Sequence, residues 1–241
     1  TKVDGIYYYA QNGKFLSNTV AKIGNAYYGF DWQGHMYADN MFSIWKDGQD
    51  LYYRAKKDGT LYTNAWYQND SDWYYYGVDG KGAEGIQTVN GKQYYFRSGR
   101  MSVNKAVTVD GKSYLCKIDG TLEVMKNNDW TIYNNNYYYV KNNKVLTECI
   151  EKIGSSYYGF DGNGRMYNRT MFTLYGYDDD GNRMHKTYFA KDGGALYLNS
   201  WVKRSGIWYY AGADGSVVTG LVKIGGKQYY FSSDGELRAN S

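Results

Sequence analysis

Aromatic residues come in short runs flanked by turn formers, again and again along the chain. The clearest run is Val89-Asn90-Gly91-Lys92-Gln93-Tyr94-Tyr95-Phe96, followed by Arg97-Ser98-Gly99-Arg100-Met101. It reads as turn, aromatic strand, turn and short strand. It returns as Ile224-Gly225-Gly226-Lys227-Gln228-Tyr229-Tyr230-Phe231. Eleven aromatic strands are expected, centred near Tyr8, Tyr28, Tyr53, Tyr75, Tyr95, Leu115, Tyr138, Tyr158, Tyr188, Tyr209 and Tyr230. Most are followed by a turn such as Lys57-Asp58-Gly59 or Ala213-Asp214-Gly215, and then by a short strand such as Thr60-Leu61-Tyr62. Asn-Gly and Asp-Gly between strand-like runs signal hairpins, because these residues tolerate positive φ. A linking segment then leads to the next hairpin. No window shows helical periodicity with caps, so the chain is expected to be all-β.

A longer repeat overlies the short one. The segment from Lys22 to Phe42 returns from Lys152 to Phe172 with 13 identities in 21 positions, at an offset of 130. Downstream the offset becomes 135, with Trp66 matching Trp201, Trp73 matching Trp208 and Gly91 matching Gly226. The extra residues fall between Phe172 and Tyr188, around Asp178-Asp179-Asp180-Gly181. An isolated two-stranded hairpin is marginal in water, so each unit has to bury its aromatic face on its neighbours. The expected architecture is an elongated β-solenoid of consecutive hairpin repeats of about 20 residues. Residues 1–241 read as a single repeat domain with two long repeats, approximately 1–125 and 126–241. A globular β-sandwich is the competing architecture.

Composition narrows the function. Tyr occurs 31 times and Gly 30 times, and Pro is absent. Aliphatic residues are too scarce for an ordinary core, but each buried aromatic ring removes about 150–250 Å² from water, so the chain is expected to fold. The net charge of +4 comes from interspersed charges without a basic face. That argues against nucleic-acid binding. No apolar stretch approaches the ~20 residues needed to cross a membrane, so insertion is not expected. Without an initiator Met or a signal peptide, Thr1 reads as the start of an excised fragment. Two cysteines do not make a disulfide framework, and Cys116, in the place of Phe96, reads as a small buried residue.

The residues also carry a family likeness. Gly85-Ile86-Gln87-Thr88-Val89-Asn90-Gly91-Lys92-Gln93-Tyr94-Tyr95-Phe96 resembles the cell-wall/glucan-binding repeats of Gram-positive surface proteins. The same repeat type occurs in glucansucrase glucan-binding domains and in clostridial toxin receptor-binding repeats. The segments opening with Trp66 and Trp201, each followed by a Trp-Tyr-Tyr strand at Trp73 and Trp208, resemble the related choline-binding repeat. The resemblance implies a β-solenoid of hairpins, without catalysis or cofactor, on a secreted or cell-surface protein. It implies shallow ligand sites between consecutive hairpins, for a glucan or a cell-wall/host glycan. The alternatives are a choline-type anchor to teichoic acid, and a structural or adhesive spacer rod.

Strand alternation divides each aromatic triplet between two faces, with Tyr94 and Phe96 on one and Tyr95 on the other. One ring per unit is therefore a candidate for an outer groove, where an aromatic face covers the C–H face of a sugar and polar neighbours bond its hydroxyls. Two candidate sites lie where Trp-bearing and Tyr-Tyr-Phe units adjoin. The first uses Trp66, Trp73, Tyr75, Gln87, Lys92 and Tyr95; the second uses Trp201, Trp208, Tyr210, Lys227 and Tyr230. Gln87 and Lys92 resemble sugar-contacting positions of related repeats, and Val222 replaces the glutamine in the second copy. For each ring, packing between hairpins is the plainer role. Catalytic or metal constellations are not expected. His35 and His185 read as solvent-facing, and Asp178-Asp179-Asp180-Gly181-Asn182 lacks the spacing and closing Glu of an EF-hand.

Overall fold

The computed structural model describes residues 1–177 and 180–238. Among the described residues it contains 27 strands and no helix. The chain forms two compact units, Thr1–Asn104 with Cys116–Glu123, and Lys105–Leu115 with Val124–Ser241. Every expected aromatic strand lies in an observed strand except the first, where Tyr8 and Tyr9 interrupt the strands Ile6–Tyr7 and Ala10–Gln11.

The principal hairpin differs from the one expected. The linking segments are themselves strands, and they pair along their full length with the aromatic strand that follows. Ala65–Asn69 pairs antiparallel with Asp72–Tyr76, and Gly85–Val89 with Lys92–Arg97. The reason lies in the turns. Asn90 and Gly91 both have positive φ, 50° and 76°, which gives the reverse turn whose twist matches two flanking strands. The Asp-Gly turns behind the aromatic strands are of another kind. The Asp58 carboxylate accepts hydrogen bonds from the Thr60 backbone N–H (2.9 Å) and hydroxyl (2.7 Å), a local closure that Asp readily makes.

The segment after each such turn ties hairpins together. In the first unit Arg100 opposes Arg97 of its own hairpin and Tyr74 of the preceding one. The result is a five-stranded sheet in the order Gly85–Val89, Lys92–Arg97, Arg100–Met101, Asp72–Tyr76, Ala65–Asn69. Single bridges repeat the link: Thr60 to Tyr28 and Thr121 to Tyr94 in the first unit, Ala195 to Tyr158 and Ser216 to Tyr188 in the second.

The long repeat is explained by its packing. Phe42 stacks on Tyr37 at 3.9 Å and 9° and on Tyr53 at 5.4 Å. In the second unit Phe172 stacks on Tyr167 at 3.8 Å and on Tyr188 at 5.5 Å. Each Phe ring lies where a side chain at Gly29, or at Gly159, would stand. The shared Tyr-Gly-Phe, Met-Tyr and Met-Phe elements thus build one aromatic core twice, with Ile44, Ala55 and Leu61 around the first copy and Ala190 and Leu196 around the second.

Cys116 is buried and Cys149 half-buried, with no disulfide between them. His185 is exposed in the strand Arg183–Phe189, with its ring 6.1 Å from Tyr175. His35 is not solvent-facing as expected. It is half-buried, with Nδ1 3.2 Å from the Asp31 carboxylate and its ring 5.4 Å from Tyr8, because the turn folds it back onto the preceding strand. Asp178 and Asp179 lie outside the described residues.

Candidate ligand-binding site

Trp66 and Tyr75 are opposed across the 65–76 hairpin, so they share a sheet face. Their rings are 5.1 Å apart. Trp73, two residues before Tyr75, joins the same face and meets Trp66 edge-on at 6.2 Å and 85°. The next hairpin contributes Tyr94, at 5.2 Å and 75° from Trp66, and the fully buried Phe96, at 5.7 Å. Trp66, Trp73 and Tyr94, with Met101 and Asp119, line an open cleft of about 290 Å³. Trp73 forms its exposed wall, at 41% exposure.

The polar groups are held locally. Gln87 opposes Tyr94 and donates from Nε2 to the Glu84 carbonyl at 2.8 Å. Lys92 lies on the Tyr94 face by strand alternation. Hydrogen bonds from Thr121, helped by Lys92 and Lys117, hold the Asp119 carboxyl below the usual carboxylate range. It is therefore an anion at neutral pH. Tyr75 donates its hydroxyl to Asn64 Oδ1 at 2.6 Å.

The structure thus brings Trp66, Trp73 and Tyr75 together, and places Gln87 and Lys92 on the neighbouring strands' matching face. It does not bring Tyr95 there. Tyr95 opposes Ile86, on the other face of its hairpin. Tyr94 takes that place, and Met101 and Asp119 complete a cleft that sequence reasoning did not assemble. Asp119 belongs to a turn beyond the next hairpin, so no local pattern could associate it with Trp66.

In the second unit Trp201 repeats the arrangement. It lies 6.3 Å from Trp208, 5.2 Å from Tyr210, 5.0 Å from Tyr229 and 5.8 Å from Phe231. Tyr230 again lies on the opposite face, opposing Leu221, and is 54% exposed. Lys227 shares the Tyr229 face by alternation, and Val222 opposes Tyr229 where Gln87 opposes Tyr94.

A third cluster, also in the second unit, was not among the expected sites. Trp130 lies 4.9 Å from Tyr139, 5.2 Å from Tyr158 and 6.1 Å from Phe160. Its signal in the sequence is a displacement of 64: Trp66, Tyr75, Tyr94 and Phe96 become Trp130, Tyr139, Tyr158 and Phe160. The second Trp of the choline-type strand is absent there, and Tyr137 stands in its place.

The profile of the cell wall binding repeat family, of choline-binding type, matches residues 199–217 and 219–237. These segments contain the hairpins that carry Trp201, Trp208, Tyr210 and Tyr229. These two segments match the cell wall binding repeat. In the first matched repeat the strands Ser200–Arg204 and Ile207–Ala211 form the hairpin, and Val217 bridges back to Ala211 behind the Asp214-Gly215 turn. The chain is 30% identical over 220 residues to Glucosyltransferase-S of Streptococcus mutans, covering 88% of this chain and 14% of that protein. It is 28% identical over 239 residues to Glucosyltransferase-I of Streptococcus downei, covering 98% of this chain and 14% of that protein. The chain therefore spans about one-seventh of the length of these relatives. Among solved structures, choline binding protein F of Streptococcus pneumoniae is similar at 20% identity and a TM-score of 0.41, covering 99% of this chain and 92% of that one.

Among the described residues no helix is long and apolar enough to cross a membrane, and no group of three or more His, Cys, Asp or Glu is arranged to hold a metal ion.

Proposed function

We propose that the chain is a non-catalytic carbohydrate-binding module of a secreted or cell-surface protein, binding a glucan or a cell-wall/host glycan by aromatic stacking. Its hairpins would follow one another as a solenoid, in one repeat domain made of the long repeats 1–125 and 126–241. The observation that carries the reading is the open cleft walled by Trp66, Trp73 and Tyr94 between consecutive hairpins. At about 290 Å³ it falls just below the ~300 Å³ at which ordinary small-ligand clefts begin, so it suits one sugar ring rather than a chain. Gln87 and Lys92 supply hydrogen-bonding groups on the same side. The Trp201 cluster offers a second site of the same design, less polar because of Val222. Similarity to glucosyltransferases and the match to cell wall binding repeats support the ligand class.

Native affinity electrophoresis against soluble polysaccharides tests this reading. Retardation by a glucan, lost in a folded Trp66→Ala/Trp201→Ala variant, is the expected result. Unchanged migration with every polysaccharide would remove the glucan assignment.

A specific observation favours a second reading for the Trp66 cleft. Its walls meet at steep angles, 85° between Trp66 and Trp73 and 75° between Trp66 and Tyr94, with the anionic Asp119 at the edge. Rings around a compact space, backed by a carboxylate, suit a quaternary ammonium such as the choline of teichoic acid. Retention on a quaternary-amine resin and elution by free choline, both weakened in Asp119→Asn, are the expected signs. Equal retention of the variant would remove Asp119 from the site.

A further inference from the structure

We infer that the Trp130 cluster is a binding site in its own right, and that its ligand is an uncharged pyranose. The inference rests on the carbohydrate reading above and extends it to a site with a different polar lining. Trp130 is half-buried and opposes Tyr139 in the 130–141 hairpin. Strand alternation puts Ile132, Tyr137 and Lys141 on the same face. Ile132 and Tyr137 oppose one another at its outer end and are 64% and 37% exposed. Trp130, Ile132 and Tyr137 thus make an apolar strip open to solvent, with Tyr158 of the next hairpin alongside.

The polar groups at this strip are a balanced pair. Glu151 opposes Tyr158, so it stands beside that ring as Gln87 stands beside Tyr94. Its Oε1 lies 2.7 Å from Lys141 Nζ, and both side chains keep part of their surface in water. An ion pair beside an apolar strip offers both donors and acceptors for vicinal hydroxyls without an uncompensated charge. That combination fits a neutral sugar better than a charged one.

The turn position that brings a carboxylate to the Trp66 cleft brings none here; the turn's own Asp192 aligns with Ile118 instead. Tyr158 bridges Ala195 as Tyr94 bridges Thr121. Met166 fills the space over Gly194 as Met101 does over Gly120. Gly193 therefore holds the place that Asp119 holds in the first unit. Its backbone N–H is bonded to Asn168 Oδ1 at 3.0 Å. The carboxylate that suits the Trp66 cleft to a cation has no counterpart here.

The test uses the whole chain labelled with ¹⁵N-tryptophan, its seven indole N–H signals assigned by single Trp→Phe variants. Isomaltotriose, maltotriose and laminaritriose are added in turn, and choline separately. The expected result is a saturable shift of the Trp130 signal with at least one trisaccharide and not with choline. A Tyr137→Ser/Ile132→Ser variant, altered only at exposed positions, should weaken that response at least tenfold while its circular dichroism stays unchanged. A silent Trp130 signal beside a responding Trp66 signal overturns the inference and leaves the carbohydrate reading standing. Silence of every indole with all three sugars overturns both. A Trp130 response to choline as strong as to sugar overturns the neutral-ligand assignment.

Discussion

Gly29 and Gly159 are the tightest small-residue positions in the aromatic cores. The tips of the Phe42 and Phe172 rings stand where side chains at these glycines would be, and each Phe also stacks on a Tyr at under 4 Å. A methyl group at Gly29 has to push the Phe42 ring out of that stack, and overfilling a packed core costs about 1–3 kcal/mol. Gly29→Ala is therefore expected to lower the unfolding free energy by that order, measured by urea titration of the folded chain. A variant as stable as the parent would mean that the ring moves freely. A second residue-scale expectation concerns acid. Burial alone would raise the Asp214 carboxyl, but hydrogen bonds from Ser216 and from Lys186 at 2.9 Å outweigh it and bring its pKa down to about 2. A depressed folded-state value means that the contribution is complete above the ordinary carboxylate pKa. It is lost as pH falls toward 2. The pair is half exposed, so it is worth no more than about 1 kcal/mol. Asp214→Asn should lower stability slightly at pH 7 and flatten its decline between about pH 4 and 2, as followed by thermal melts across that range.

The hairpin is the unit of construction, and its turn sets the register. With Asn90 and Gly91 both at positive φ, Gly85 opposes Phe96, and Tyr94 and Phe96 face Trp66 together. Gly91→Ala puts a side chain into a left-handed conformation that costs an L-residue about 1–2 kcal/mol. It should destabilise the chain by that amount in chemical denaturation. It should also weaken glycan retardation, because the Tyr94 wall of the cleft shifts with the turn. Loss of stability with full binding would show that the cleft tolerates a displaced hairpin. The turns behind the aromatic strands work differently, through a carboxylate closing on its own backbone. This distinction was only half legible in the sequence. Both kinds of turn contain Asp-Gly, and the linking segments carry fewer aromatic residues than the strands they pair with.

For the whole chain, three aromatic clusters of one design argue for a repetitive ligand. A shallow cleft holds one sugar ring weakly. Two or more clefts on one chain can engage a polysaccharide together, provided that their spacing permits it. A polymer is therefore expected to bind at least ten times more tightly, per sugar chain, than the trisaccharide of the same linkage. Removing one Trp should reduce polymer binding by more than it reduces trisaccharide binding. Surface plasmon resonance with immobilised protein would show this as a slower dissociation of the polymer. Equal affinities would mean that the clusters act singly. The chain spans about one-seventh of the length of its glucosyltransferase relatives.

The sequence by itself was enough for the all-β class, the places of ten of the eleven aromatic strands, the aromatic alternation and the likeness to cell-wall repeats. All of these are local or periodic, and the alternation of side chains along a strand needs no partner to be read. It also singled out Trp66 and Trp201. What it could not say is which face of each hairpin the next one covers. Only the tertiary structure decided that Tyr94 and Tyr229, rather than Tyr95 and Tyr230, stand against the tryptophans. It also joined Asp119 to Trp66 across 53 positions of chain and revealed the Trp130 cluster behind an altered strand. Those outcomes depend on how successive hairpins pack, because an aromatic ring is equally content against a neighbour or a ligand until the covering strand is in place.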